Sequence, residues 1–265
     1  MIEINKIYNE NCIETMAKMP SDFIDLTVTS PPYDNLRNYN GYTFNFESIA
    51  KELYRVTKLG GVVVWVVGDA TVNGSETGTS FKQALFFMQC GFNLHDTMIW
   101  QIDKIPQTNN RYEQNFEYMF VFSKGTPKTF NPIKRKNLCA GSRRSSNKNI
   151  HKSENSASNG ILKANGKICK EESIAKNIWQ FAGGSGYSKD KIAFQHPAIF
   201  PEKLVYDHIL SWSNPDDLVY DCFAGSGSTA KVSIITKRNY ICSEISGEYY
   251  EIIIKRLMKE QNTLL

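Results

Sequence analysis

The stretch 218–244 limits what this chain can fold into more than any other part of it. An apolar run, LVYDCF, ends in the glycine turn AGSG. A helix-like segment, STAKVSIIT, follows, and then a second apolar run, YICSE. Strand, tight turn, helix, strand is a βαβ unit, and its two strands must lie parallel in a sheet covered by helices. Gly225 and Gly227 let the backbone turn sharply and approach a ligand closely. The first N–H groups of the helix then point at whatever sits there. Glu244 lies 19 residues after Gly225, where an acid accepts hydrogen bonds from ribose hydroxyls. The spacing G-S-G is shorter than the dinucleotide fingerprint and no Walker lysine follows, so a nucleoside without phosphates fits better than a pyrophosphate or triphosphate.

The first 123 residues repeat the alternation. Residues 24–29 (IDLTVT) read as a strand that ends at Ser30-Pro31-Pro32-Tyr33, because a double proline can neither continue a strand nor enter a helix interior. Apolar residues at 46, 49, 50, 53 and 56 have the helical period. Lys58-Leu59-Gly60-Gly61 is expected to end that helix with glycines in the C-cap position. The unbroken run 62–67 (VVVWVV) predicts a strand buried on both faces of a parallel sheet. A second helix is expected over 80–90, capped by Ser80 and closed by Gly91, with strands at 98–101 and 118–123. After the central region come a helix with Pro201 in its first turn, strand 218–223, helix 228–236, strand 240–244 and a last helix over 248–259. The fold class is therefore α/β, with a mostly parallel sheet and helices on both faces.

Composition changes at about residue 125. Residues 125–190 are rich in Lys, Asn, Ser and Gly and read as an inserted module within a main domain of residues 1–124 and 191–265. Between 124 and 176 there are 13 Lys and Arg against 3 Glu, or +10, while the rest of the chain carries 18 basic and 24 acidic residues, or −6. A basic segment on an otherwise acidic chain suits a polyanionic partner; a solvated surface insert explains the same composition. The six cysteines include no C-x-x-C pair, so they are expected to pack as small hydrophobes rather than hold metal. No apolar run approaches membrane-spanning length, and the acidic start MIEINKIYNENC does not read as a secretory signal. A cytoplasmic enzyme with no membrane association is expected.

Ser30-Pro31-Pro32-Tyr33 stands at the carboxyl end of a buried strand, where open α/β sheets bind ligands. The prolines lack N–H groups, so their carbonyls and the Ser30 hydroxyl are left as acceptors for an –NH₂ donor, and Tyr33 offers a flat face for a planar base. Thr29 to Tyr33 (TSPPY) and residues 221–229 (DCFAGSGST) resemble the catalytic and cofactor motifs of the amino-specific DNA methyltransferases. Their order, with a basic region between, resembles the beta group of that family. Asp25-Leu26, Leu59-Gly60-Gly61, residues 111–124 (RYEQNFEYMFVFSK) and His196-Pro197 through Pro201 resemble further family segments.

The resemblance implies a Rossmann-like S-adenosylmethionine-dependent fold and methyl transfer from S-adenosyl-L-methionine to the exocyclic amine of a base flipped out of double-stranded DNA. Ser30, Pro31, Pro32 and Tyr33 would be catalytic. Cys12, Ser30, Pro31, His196, Pro201, Asp221, Phe223, Ala224, Gly225, Ser226, Gly227 and Glu244 would line the cofactor site, with Asp221 and the glycine turn at its methionine part and Glu244 at its ribose. Arg37, Lys104 and Arg111 would meet phosphates, and Lys134, Arg135, Lys136, Arg143 and Arg144 would contact phosphate and base edges. Asn11-Cys12 stands where relatives often carry an acid. Ser30 stands where many carry Asp, and Ser goes more often with N4-cytosine and Asp with N6-adenine. N4-cytosine is therefore the expected target, with N6-adenine the alternative. A non-catalytic DNA-binding protein, or an RNA or protein methyltransferase of the same fold, is a further alternative. A cognate restriction endonuclease and a homodimer are partners that the resemblance leaves open.

Overall fold

The structure is a computed structural model that describes residues 2–32, 44–102, 112, 114–142, 168–181 and 200–264. It forms two compact units. One is Met1–Asn131 with Asn177–Leu265, and the other is Pro132–Lys176.

The first unit is built on an eight-stranded sheet. Its strands are β1 (Lys6–Tyr8), β2 (Ile24–Thr29), β3 (Thr57–Val67), β6 (Asn93–Gln101), β7 (Phe116–Ser123), β10 (Ile178–Gln180), β11 (Leu218–Asp221) and β12 (Asn239–Ser243). Their order across the sheet is β1-β12-β11-β2-β3-β7-β6-β10. All neighbouring pairs from β1 to β3 are parallel, as are β6 and β10; β7 runs antiparallel to both β3 and β6. The run 62–67 is buried throughout, as its sequence implies, but one of its two neighbours is antiparallel. Packing on the two faces buries a strand whichever way its sheet neighbours run, so an apolar run reports burial and not the direction of the next strand.

Helices α1 (Cys12–Ala17), α2 (Phe46–Val56) and α3 (Thr79–Gln89) share a core with Val63, Trp65 and Val67 of β3 and Ile241 of β12. Helices α5 (Ser228–Ile235) and α6 (Gly247–Leu264) pack instead with Ile7, Tyr240 and Cys242. Residues 240, 241 and 242 alternate between the two clusters, as the two-residue period of a strand requires when both faces are covered. Helix α4 (Glu202–Trp212) packs on α5 and β2. In α2 the apolar stripe buries Ile49, Ala50, Leu53 and Val56, and Asn45 caps the start by accepting from the Ser48 N–H at 3.3 Å. Truncating Leu53 to Ala would cost about 2–5 kcal/mol.

Two helix ends differ from the sequence reading. Lys58-Leu59-Gly60-Gly61 does not terminate α2. The helix stops at Val56, Thr57 turns extended while its hydroxyl donates to the Leu53 carbonyl at 2.6 Å, and β3 starts at once. Gly60, at φ +85°, instead marks an irregularity inside β3, where the β2 register also shifts. Ser80 is not the cap of α3. Gly78 holds that position, and the carboxylate of Asp69, eleven residues upstream, accepts from the Ser80 N–H at 2.8 Å and the Ser80 hydroxyl at 2.5 Å. Pro201 is the N-cap of α4 rather than a residue of its first turn. The hairpin of β4 (Thr71–Val72) and β5 (Ser75–Glu76) follows β3. In the second unit, β8 (Lys134–Lys136) pairs antiparallel with β9 (Glu172–Ile174).

His208, on α4, is fully buried, with its ring 4.7 Å from that of Trp179 and Nε2 3.4 Å from the Met119 sulfur. Burial pushes its imidazole down to about 3. The unfolded chain therefore takes up a proton at His208 as pH falls below about 6.5 while the folded chain does not, so this residue weakens the fold progressively from there to about pH 3. Urea unfolding of the parent and of His208→Met at pH 7 and pH 5 is expected to show a larger acid loss in the parent, by up to about 1.4 kcal/mol per pH unit; equal losses would contradict a neutral buried His208.

Candidate active site and family membership

Strand pairing brings the two sequence motifs together. Strands β2 and β11 lie side by side in parallel, with Leu26 opposite Val219 and Thr27 opposite Tyr220. Carried forward, this register sets Ser30 level with Phe223, two residues before Gly225. Adjacent strands are about 4.8 Å apart, so the double-proline loop and the glycine turn leave the sheet at the same edge as neighbours. Pro31 is buried and Pro32 half-buried.

Asp221, the last residue of β11, ties these elements to each other. One carboxylate oxygen accepts from the Thr29 hydroxyl at 2.7 Å and from the Phe223 N–H at 3.0 Å. The other accepts from the Thr229 hydroxyl, in the first turn of α5, at 2.7 Å. Burial pushes this carboxyl up, and the bonds from Thr229, Thr29 and Phe223 oppose that shift. The carboxylate thus links the residue before Ser30, the glycine turn and the helix beyond it.

The turn itself is closely held. Gly225 and Gly227 both have positive φ, at 54° and 80°. A Cβ on Gly227 would stand 2.7 Å from the Ile253 Cγ2 atom, so the backbone conformation and the space both call for glycine. Arg256 of α6, almost wholly buried, donates to the Ser226 carbonyl at 2.5 Å and pairs with Glu202. The Ser228 hydroxyl donates to the Phe200 carbonyl at 2.8 Å, which fixes the residue before Pro201 against the start of α5.

Glu244 follows β12 directly. One of its carboxylate oxygens accepts from the Gly225 N–H at 2.8 Å and the other from the Ser246 N–H at 2.9 Å. Burial pushes its carboxyl up to about 7, while these amides favour the ionised form. Each oxygen keeps a further lone pair for a hydroxyl donor. Asn9 braces the position by donating to the Glu244 carbonyl at 2.8 Å.

Of the other residues singled out by sequence, Cys12 opens α1, where Asn11 serves as N-cap, and its carbonyl accepts from the Tyr220 hydroxyl at 3.4 Å. Burial raises the thiols of Cys12, Cys222 and Cys242, which keeps them protonated and unsuited to nucleophilic attack. Phe223 packs edge-on against Phe44 and Trp65, and Ala224 and Ser226 are buried. Lys134, Arg135 and Lys136 form the exposed strand β8 of the second unit. Tyr33, Arg37, Lys104, Arg111, Arg143, Arg144 and His196 lie outside the described residues.

Residues 24–255 match the family model described as DNA methylase. The chain belongs to this family. The DNA methylase is 57% identical over 237 residues to the orphan methyltransferase M.BamHII of Bacillus amyloliquefaciens, with 88% of each chain covered. It is 27% identical to the DNA adenine methyltransferase YhdJ of Escherichia coli, over 96% of this chain and 83% of that one. Its fold is similar to that of the PvuII DNA methyltransferase (cytosine-N4-specific), with a TM-score of 0.69 and 22% identity over 94% of this chain and 84% of that one. It is also similar to M1.HpyAVI in complex with SAM, with a TM-score of 0.57 and 20% identity over 95% and 98% of the two chains. The Rossmann-like, mostly parallel α/β fold expected from sequence is thereby borne out.

Sequence reading placed Thr29 and Thr229 within the two motifs without giving either a role, and did not single out Arg256 or Asn9. A threonine in a strand and an arginine in a helix are common enough to carry no signal alone. An arginine inside the apolar stretch IIIKRLM of α6 is the one hint, because a buried guanidinium needs partners.

The Asp221 network gives a direct test. Asparagine has one acceptor oxygen for the two threonine hydroxyls, so Asp221→Asn is expected to lower urea stability by about 2–4 kcal/mol. Thr29→Val combined with Asp221→Asn should cost clearly less than the sum of the two alone. Full additivity would show that the two side chains do not interact.

Proposed function

We propose that this DNA methylase methylates the exocyclic N4 amine of cytosine in double-stranded DNA, acting on a base flipped out of the duplex. The observation that carries the reading is the parallel pairing of β2 with β11, which sets Ser30 and Pro31 beside the Gly225 turn. The family match and the SAM-bound structural neighbour support S-adenosyl-L-methionine as the methyl donor. The site has features that suit it: a turn in which Gly225 and Gly227 both hold positive φ, no phosphate-binding lysine in it, and a carboxylate fixed at the end of the next strand. When bound, S-adenosylmethionine supplies a methyl group activated by a sulfonium centre.

The residues of the chain supply position and electrostatics. An exocyclic amine is a weak nucleophile because its lone pair is delocalised into the ring. The Ser30 hydroxyl and Pro31 carbonyl would accept its hydrogens and direct the lone pair out of the ring plane, which is catalysis by alignment and preorganised acceptors. Tyr33 would stack on the flipped base. The Gly225–Gly227 turn, with Asp221 bracing it from beneath, would hold the methionine part, and Glu244 would accept from the ribose hydroxyls; Cys12, Phe223, Pro201 and His196 would line the remainder. Because ribose hydroxyls favour the ionised form of Glu244, cofactor affinity would weaken as pH falls below about 7. No cysteine acts as a nucleophile in this scheme, in keeping with the raised thiols of Cys12, Cys222 and Cys242.

Serine at position 30 favours N4-cytosine over N6-adenine. The basic region 125–190 would recognise the target, with Lys134, Arg135 and Lys136 presented to solvent on β8 and Arg143 and Arg144 beyond it. Arg37 and Arg111 would add phosphate contacts. Among the described residues no helix is long and apolar enough to cross a membrane.

Nucleoside mass spectrometry of DNA from cells expressing the protein tests the assignment. N4-methylcytosine is the expected product, and Ser30→Ala should lower turnover by about 10²–10³-fold. N6-methyladenine as the sole product would overturn the choice of base, and unchanged turnover in Ser30→Ala would overturn the role of Ser30.

A further inference from the structure

Cys139 and Cys169 lie 30 residues apart in sequence and meet in the second unit, with their sulfur atoms 2.6 Å from each other. The β8–β9 register explains why. Lys134 pairs with Ile174, Arg135 with Ser173 and Lys136 with Glu172. The Asn137 N–H donates to the Glu171 carbonyl at 2.8 Å, which carries the same register one residue further. Two residues beyond, that register sets Cys139 opposite Cys169. The Cys169 N–H bonds to the Ser142 carbonyl at 2.8 Å, and the Gly141 N–H to the Cys169 carbonyl at 3.2 Å, so the backbone around the pair is pinned. The other four cysteines belong to the first unit. Cys139 is exposed whereas Cys169 is buried. An expectation that all six cysteines merely pack as small hydrophobes does not describe this pair.

We propose that Cys139 and Cys169 are a thiol–disulfide modification site, cross-linked by exchange with a low-molecular-weight disulfide such as glutathione disulfide. The exposed Cys139 sulfur, as thiolate, attacks one sulfur of the glutathione disulfide. A protein–glutathione disulfide forms and the first glutathione leaves with the electron pair of the broken S–S bond. The Cys169 sulfur, as thiolate, then attacks the Cys139 sulfur and displaces the second glutathione. Two cysteine thiols are oxidised, one small disulfide is reduced to two thiols, and the two cysteine protons end on the released glutathiones. The proximity of Cys169 makes the second step intramolecular and fast.

The bond would close a ring over the segment 143–167, which carries six Lys and Arg against one Glu. It would hold both ends of that segment at the end of the β8–β9 ladder when the ladder opens. A role for this in DNA recognition rests on the function proposed above; the cross-link does not.

The test uses the full chain equilibrated with mixtures of oxidised and reduced glutathione, quenched with an alkylating agent and mapped by mass spectrometry without DNA or cofactor. The expected result is the loss of two hydrogens with a Cys139–Cys169 linked peptide, while Cys12, Cys222 and Cys242 alkylate only after denaturation and the partly exposed Cys90 is recovered as an alkylated thiol. Cys139→Ser and Cys169→Ser should each abolish the link, and Cys169→Ser should leave a stable glutathione adduct on Cys139. In the oxidised parent, hydrogen exchange at the Asn137 and Cys169 amides should slow by about tenfold or more, with no such change in either variant. A parent that keeps both thiols under oxidising mixtures, accumulates the glutathione adduct at Cys139, or links other cysteines would overturn the proposal, as would unchanged exchange on cross-linking.

Discussion

The buried carboxylate of Asp221 is the interaction on which the site depends. Removing an ionised group from water is costly unless hydrogen bonds replace the lost hydration. Here the replacement comes from three directions: Thr29 at the end of β2, Thr229 in α5 and the backbone of Phe223. The donors belong to elements that the chain separates by about two hundred residues, so satisfying one charge fixes the relative position of all of them. Ser30 follows Thr29 directly, and Gly225 to Gly227 lie between Phe223 and Thr229. The two loops that would meet for methyl transfer in the proposed function are therefore set by the same carboxylate.

A second layer keeps the glycine turn in shape. Glu244 draws in the Gly225 N–H, and Arg256 holds the Ser226 carbonyl while pairing with Glu202 of α4. The turn is thus fastened by side chains from β12's end and from α6 as well as by its own dihedral angles. A cleft built this way is preorganised, which suits a reaction in which the protein contributes alignment rather than a covalent intermediate. The family match supports the same class of reaction. The N4-cytosine assignment rests on the nature of one acceptor, the Ser30 hydroxyl, and is the finer of the two conclusions.

Much of this was legible in the sequence, for identifiable reasons. The βαβ unit around Gly225 could be read because glycine turns punctuate apolar runs at fixed offsets, and so could the place of Glu244 at the end of the next strand, beside the Gly225 turn. The misreadings arise where a contact, rather than a residue type, decides the local structure. Ser80 has the right side chain for a cap, but Asp69 supplies the acceptor. Gly60 and Gly61 carry a terminator's signature, yet the chain turns from helix to strand at Thr57 with no glycine needed. The antiparallel β7 could not be foreseen, because an apolar run records only that both faces are covered. Strands β8, β9 and β10 are three residues each, too short for a period to emerge. Asp221, Thr29 and Thr229 all fall within the two motifs, but the bonds among them were not legible, since a hydroxyl declares its role only once a buried acceptor is opposite it. The Cys139–Cys169 pair escaped for the same reason: a strand register, not a spacing, brings it together.

The central claim is that the Asp221 tether aligns the acceptor loop with the cofactor turn. Single-turnover methyl transfer by Thr29→Val, at saturating S-adenosylmethionine and DNA, tests it most directly, with cofactor affinity measured in parallel. This account expects the transfer rate to fall by about tenfold or more while cofactor affinity changes little, because only alignment is lost. A transfer rate equal to that of the parent would contradict it.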